Sequence, residues 1–452
     1  MALPGSPEAD DSASGDSESD AATLVSHAGP QGSTRSHAIE GALPNEPHSG
    51  VTRLLVYSHD TFGLGNLQRS LKICEQLAAE IPQISILLLT GNLECHRFSM
   101  PPNMDFVKLP SVLREARNQY VARYLNSPFK AVRSMRRDLV FSTMKWFAPD
   151  IVLVDKAPIG VKGELQKSIR WLKKNRRQSK LILYLRDVLD DAPFVRRMWQ
   201  QKRFREAIER YYDSIWVFGS PIVCDMVKEY ELPESIGRKM SYCGYIMPNP
   251  EMRDSHEVRS ELGIRAGRFV LVTGGGGGDA YKLMKNYLAG VERLRKSMNG
   301  DPGAEIHSLL VLGPEMPVAE RRRLQVQADP GKVRIVDFTT ELLNYMNSAD
   351  LVVSMGGYNT VCEILSLRKR AIVVPRERPV NEQLLRTTRM EALGLVDMIR
   401  PEDLSPETMA LKIEQALGSN GHLRPAAEVL DTGGLSRVSR GVLAEVQAWV
   451  RS

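Results

Sequence analysis

The sequence predicts an α/β protein of two doubly wound parallel-sheet domains facing a cleft. Three observations carry this. Short apolar runs recur from residue 51 onward, each closing on a glycine, a proline or a polar residue. Helical stretches separate them, the strand–helix alternation that builds parallel sheets. A proline-bearing stretch, Pro248, Asn249 and Pro250, divides the runs into two series of similar length. Proline lacks an amide donor and cannot lie inside a sheet, so this stretch suits a connector.

Taken in order, residues 1–50 carry a net charge of −7 and few aromatic or β-branched residues. Such a segment cannot bury enough apolar surface to offset its ordering entropy, and it reads as a disordered acidic tail. It has neither the basic start nor the apolar run of a secretory signal. Residues 51–58 (VTRLLVYS) are apolar without clean alternation, as a strand buried on both faces should be. A helix is expected over 67–80, then strands at 84–90, 151–154, 181–185 and 214–218. The second series places strands at 269–273, 307–312, 333–336, 351–354 and 371–374. The expected organisation is a tail over 1–50, a first Rossmann-like domain over 51–247, and a second over 248–425. A C-terminal helix over 426–452 is expected to pack back on the first domain.

Composition excludes several classes. No stretch approaches the 18 apolar residues that a membrane-spanning helix needs. The five cysteines are scattered and odd in number, against a disulfide framework or zinc module and for a reducing, cytoplasmic compartment. The net charge of +6 is uneven: residues 51–247 carry +12 and residues 248–452 carry +1. Most of the excess lies in 114–137 and 162–180. It reads either as a solvated helix face or as contact with anionic lipid, since Trp171 and Leu172 sit among the charges. Nucleic-acid binding is disfavoured, because no helix-turn-helix, RNP or zinc signature accompanies the charge.

In open parallel sheets ligands bind at the carboxyl ends of strands, so the strand-end loops hold the chemistry. The first loop runs from His59 and Asp60 through Gly63 and Gly65 to Asn66. Its glycines admit a close ligand, and the helix behind it offers free amides to an anion. His59 can accept a proton from an alcohol, with Asp60 beside it, or be a histidine satisfied by local hydrogen bonds. The second loop is the glycine run Gly274, Gly275, Gly276, Gly277 and Gly278, which leaves a strand end open to ligand or to the opposite domain. The third runs from Ser354 to Glu363. Gly356 and Gly357 lead into a helix starting near Asn359 or Thr360, whose amino end suits a phosphate, with Glu363 a turn further on for a ribose. Thr360 and Glu363 also have capping-box spacing. The fourth brings Asn381, Glu382 and Gln383 into the first turn of a helix, where they suit sugar hydroxyls.

These loops, in this order, resemble the GT-B glycosyltransferases of family 28, which includes the peptidoglycan UDP-N-acetylglucosamine transferases. They also resemble bacterial "predicted glycosyltransferase" sequences carrying S-H-D-T-x-G-L-G, here residues 58–65. The resemblance spans about residues 51–445 and rests on G-G-x-N-T-x-x-E (356–363) followed by P-x-x-x-x-x-N-E-Q (375–383). It implies that Gly274–Gly277 face the phosphates and that the segment ending at Phe338 lies beside the uracil. It implies that Gly357, Asn359 and Thr360 meet the diphosphate and Glu363 the ribose. Asn381, Glu382 and Gln383 would meet the donor sugar, and His59, Gly63 and Gly65 would face the acceptor. Relatives often have a histidine where this chain has Asn66, which passes the catalytic role to His59 or Asp60.

The implied activity is inverting transfer of a hexose or N-acetylhexosamine from a UDP-sugar to an acceptor hydroxyl, without metal or other cofactor. No Asp-x-Asp motif or His-x-x-x-His pair is present. The acceptor is open, lipid-linked or polysaccharide, and a peripheral position at the inner membrane face goes with the basic first domain. The alternatives are a UDP-sugar epimerase or hydrolase on the same scaffold, or a non-catalytic nucleotide-sugar binding protein.

Overall fold

The structure is a computed structural model that describes residues 50–60, 64–116, 119–201, 203–248, 251–297, 305–376, 380–418 and 425–450. The expected acidic tail up to residue 49, Gly63, and Asn249 and Pro250 of the expected connector lie outside the described residues.

The first half is built on β1 (Thr52–Tyr57), β2 (Ile84–Thr90) and β3 (Met104–Lys108), followed by a hairpin of β4 (Val112–Ala116) and β5 (Gln119–Ala122). It continues with β6 (Ile151–Asp155), β7 (Lys180–Arg186), β8 (Ser214–Phe218) and β9 (Met240–Tyr242). Seven of these form a parallel sheet in the order β3-β2-β1-β6-β7-β8-β9. The second half contains β10 (Arg268–Thr273), β11 (Ile306–Val311), β12 (Val333–Val336), β13 (Leu351–Ser354), β14 (Ala371–Val373) and β15 (Asp397–Met398). They form a parallel sheet in the order β12-β11-β10-β13-β14-β15. The apolar runs read from sequence all form strands, and all but the edge strand β12 are central. The hairpin and the strands β3, β9 and β15 were not expected. The last two have only three and two residues, too few for a period to register.

Burial explains why the runs do not alternate. Leu54 and Val56 of β1 enter one apolar cluster, while Leu55 and Tyr57 enter another on the opposite face. In β10, Phe269 and Leu271 face one way and Val270 and Val272 the other. Strands covered on both faces need apolar residues at every position. Each such side chain contributes roughly 1.5–3 kcal/mol. One cluster runs through both halves, and the rings of Tyr245 and Tyr358 stack at 5.9 Å where it crosses.

The helix Gly434–Val450 lies against the first half. Val438 and Val442 join the shared core, and Lys180 pairs with Glu445 at 3.0 Å. Gly441 sits where an added Cβ would come within 2.8 Å of the Trp216 ring. The five cysteines are free and buried. Among the described residues no helix is long and apolar enough to cross a membrane.

Candidate active site

Each sheet has a switch point, where the chain starts in the middle and later returns to the other side. In the first sheet it falls between β1 and β6, in the second between β10 and β13. Loops on either side of such a point diverge and open a crevice at the carboxyl edge. Both crevices open into one cavity of about 870 Å³. It is lined by His59, Gly65 and Asn66 from the first half, and by the glycine run, Phe338, Gly357, Asn359, Thr360, Glu363, Glu382 and Gln383 from the second.

His59 follows β1 and is buried to 4% exposure. Its backbone amide donates to Asp155 Oδ2 (3.3 Å), and its carbonyl accepts from Asn66 Nδ2 (2.6 Å). Asn66 Oδ1 in turn accepts from Arg69 (3.1 Å), and Arg69 pairs with Asp155 at 2.6 Å. Asn66 thus holds the histidine loop. The buried Nδ1 of His59 has no hydrogen-bond partner. Burial first, then the positive charges of Lys156, Arg136, Arg114 and Arg186, holds the imidazole pKa well below its usual value, so the ring is neutral at pH 7.

The expectation for Asp60 needs correction. It does not line the cavity. Its carboxylate accepts from Ser58 Oγ (2.9 Å), Thr90 Oγ1 (2.5 Å) and the Gly91 amide (3.3 Å), so it pins the strand-end turn. Burial raises its pKa, against the pull of the Thr90 and Ser58 hydrogen bonds.

In the second half, β13 leads through Gly356 and Gly357 into the helix Tyr358–Ser366. Gly357 is the N-cap and no side chain caps this end, so the first-turn amides are not engaged by a capping group. The capping-box alternative fails: Thr360 lies inside the helix, and Glu363 pairs with Lys72 of the first half at 2.9 Å. Gly356 must be glycine, because an added Cβ would meet Thr387 Oγ1 at 2.5 Å. In the glycine run, Gly277 has φ +90 and packs where a Cβ would meet the Leu312 carbonyl at 2.3 Å, while Gly275, at φ +61, has open space beside it. Phe338 lies under the Arg97 guanidinium at 5.6 Å.

Of the residues expected at the donor sugar, Glu382 and Gln383 line the cavity, but Asn381 does not. The Asn381 amide donates to Asp190 Oδ1 (3.0 Å), which makes it the anchor of the helix Glu382–Ala392. Glu382 pairs with Arg186 and lies 3.6 Å from Arg376. Burial opposes its charge, but Arg186, Arg386 and Arg376 outweigh it and hold its pKa at about 2.

Contacts between sheet ends join the halves. Asn359 Nδ2 donates to the Gly65 carbonyl (3.0 Å) and to Gln68 Oε1 (3.2 Å). Fully buried Arg386 makes a bidentate pair with Asp187 at 2.7–3.0 Å and donates to the Gly356 carbonyl (3.0 Å). A first-half carboxylate therefore orients the turn before Tyr358. Arg69, Lys72, Asp155, Lys156, Arg186, Asp187 and Arg386 were missed in the sequence. Four of them carry a visible signal: Asp155-Lys156 and Arg186-Asp187 each follow at once on a buried apolar run. Among the described residues no group of three His, Cys, Asp or Glu side chains could hold a metal ion.

The fold is GT-B. The calicheamicin glycosyltransferase CalG4 aligns over 88% of this chain and 98% of its own, with a TM-score of 0.56 at 13% identity. Residues 269–429 match the glycosyltransferase family 28 C-terminal domain, which takes in the glycine run and the turn at Gly356–Gly357. An uncharacterized glycosyltransferase of Methanopyrus kandleri is 29% identical over 214 residues, covering 47% of this chain and 56% of that protein. The UDP-N-acetylglucosamine–N-acetylmuramyl-(pentapeptide) pyrophosphoryl-undecaprenol N-acetylglucosamine transferase of Alkaliphilus oremlandii is 24% identical over 249 residues, covering 54% and 59%. The chain thus spans somewhat over half the length of these two relatives.

Proposed function

We propose that the chain is a glycosyltransferase that moves a hexose or N-acetylhexosamine from a UDP-sugar to an acceptor hydroxyl, with inversion. The observation that carries the reading is the uncapped amino end of the helix Tyr358–Ser366, inside the family 28 segment, in one cavity with a neutral histidine whose Nδ1 has no hydrogen-bond partner.

The chemistry follows from these groups. His59 takes the proton of the acceptor hydroxyl as its oxygen attacks the anomeric carbon from the face opposite UDP. The bond to the leaving β-phosphate oxygen breaks, and that oxygen takes the electron pair. The first-turn amides at Asn359 and Thr360, together with the helix dipole, stabilise the new charge. The open backbone at Gly275 admits the phosphates, and the segment at Phe338 flanks the base. Glu363 accepts from the ribose hydroxyls, and Glu382 and Gln383 from the sugar. In this scheme no metal is required, so chelation by EDTA leaves turnover unchanged.

Binding to the folded state raises its melting temperature, so UDP-, GDP- and TDP-sugars should be compared in a thermal-shift screen. UDP-sugars should stabilise most; stabilisation by GDP-sugars alone overturns the uridine assignment. Consumption of UDP-sugar without any acceptor would favour the hydrolase or epimerase alternative.

For the acceptor side, Met135, Leu139 and Trp146 are exposed on the helix Phe129–Phe147, the last at 67%. Lys145 lies 5.2 Å over the Trp146 ring. An apolar stripe among cations supports docking on an anionic membrane surface, at the cytoplasmic face of the inner membrane, and a lipid-linked acceptor. Flotation with anionic liposomes should carry the protein, and Trp146→Ser should reduce it; no flotation of the unaltered chain removes this part of the reading.

A further inference from the structure

At the switch point of the first sheet, Lys156 stands beside His59. The register Tyr57↔Val154 between β1 and β6 puts the two residues at corresponding positions past their strand ends. The Lys156 amide donates to the Tyr184 carbonyl (3.0 Å), and its backbone has φ +64, a left-handed conformation unusual for a side-chain-bearing residue. The ammonium lines the cavity and has no hydrogen-bond or ion-pair partner among the described residues. The charged groups around it are Arg186, Glu382, Arg114 and Asp155. Both carboxylates are already engaged, Glu382 by Arg186 and Asp155 by Arg69. Nine cationic side chains against five carboxylates line the whole cavity, and eight of the nine come from the first half.

A partly buried cation without a counter-charge is unfavourable unless a ligand supplies one. Burial, then the neighbouring Arg186, lowers the Lys156 pKa to about 7, the expected response to that missing partner. The donor's diphosphate has its own stabilising groups at the helix Tyr358–Ser366 in the second half. We propose that Lys156, with Arg114 in the lining of the same cavity, forms an anion subsite that takes a phosphate or carboxylate carried by the acceptor, next to the hydroxyl that His59 deprotonates. The acceptor is then an anionic molecule. This rests on the cleft being a glycosyl-transfer site.

The test titrates inorganic phosphate and, separately, acetate into the full chain with UDP saturating and with UDP absent. The unaltered protein should bind one of these anions alongside UDP. Lys156→Met should weaken that binding tenfold or more and leave UDP affinity within twofold, and Lys156→Arg should restore it. Phosphate preference points to a phosphorylated acceptor, acetate preference to a carboxylated one. Unchanged anion affinity in Lys156→Met, or competition between anion and UDP in the unaltered protein, overturns the proposal. Should Lys156→Met fail to fold, acetylation of Lys156 by acetic anhydride at pH 7, read by mass spectrometry on the unaltered chain, decides. The preferred anion should slow it at least fivefold, and no protection refutes the subsite. If UDP does not bind at all, the donor reading falls, while the titrations without UDP still test the subsite.

Discussion

His59 and Asp60 are neighbours in sequence with different tasks. His59 lines the cleft and its buried Nδ1 has no hydrogen-bond partner, whereas Asp60 turns inward to Ser58, Thr90 and Gly91. His59→Ala should therefore lower kcat by about 10²–10⁴-fold with little change in donor affinity. Asp60→Asn should act on stability, lowering the melting temperature more than kcat; the reverse pattern would return the base role to Asp60. Lys156 adds a pH-dependent signature. Its folded pKa is about 7 and its unfolded value about 10.4. Its charged form is therefore disfavoured in the fold. The penalty is complete below pH 7 and is relieved as pH rises from 7 to about 10.4. Lys156→Met should stabilise the protein by up to about 4–5 kcal/mol at pH 6, and the gain should vanish near pH 10.5 in denaturant melts.

Among the elements, the glycine run is a packed turn more than a flexible loop. Gly277 sits at φ +90 against the Leu312 carbonyl, and Gly313, at φ +93, closes on Gly275 and Gly276. Gly277→Ala should cost about 2–4 kcal/mol, through strained backbone and a backbone clash, and should weaken donor binding with it. Gly275→Ala meets nothing within 4 Å and pays only for its φ of +61, so a smaller loss of about 1 kcal/mol is expected. Urea melts of the two variants give the comparison. The helix Tyr358–Ser366 was legible because its Gly-Gly turn follows a buried strand. Its start was less so, since Thr360 and Glu363 match a cap by spacing alone, and only Lys72, 291 residues away, accounts for the carboxylate.

At the scale of the whole molecule, charged side chains buried at the sheet ends join the halves. Arg386→Met leaves Asp187 charged and buried and should cost about 3–5 kcal/mol. Arg386→Met combined with Asp187→Asn should recover part of that loss, and failure to recover would mean that Arg386 acts mainly through the Gly356 carbonyl. Glu382 sets the acid limit. Its pKa is about 2 in the fold and about 4.3 unfolded, so its contribution is complete above pH 4.3 and is lost as pH falls toward 2. Glu382→Gln should flatten the stability profile between those values.

The apolar runs, the loops that end them, and the glycines those loops require are local facts, and they could be read from the chain directly. Strand burial is written in consecutive apolar residues, and a switch-point turn such as Gly356–Gly357 is written in its own few positions. Strand order is not local. Only the folded sheet makes β6 the neighbour of β1, and so sets Lys156 beside His59; only the meeting of the halves gives Asp187 to Arg386 and Lys72 to Glu363. Those pairings join residues from about 100 to nearly 300 positions apart, where no period or spacing connects them. What selects them is the desolvation of charges buried where the sheets meet, a cost that exists only once the core has closed.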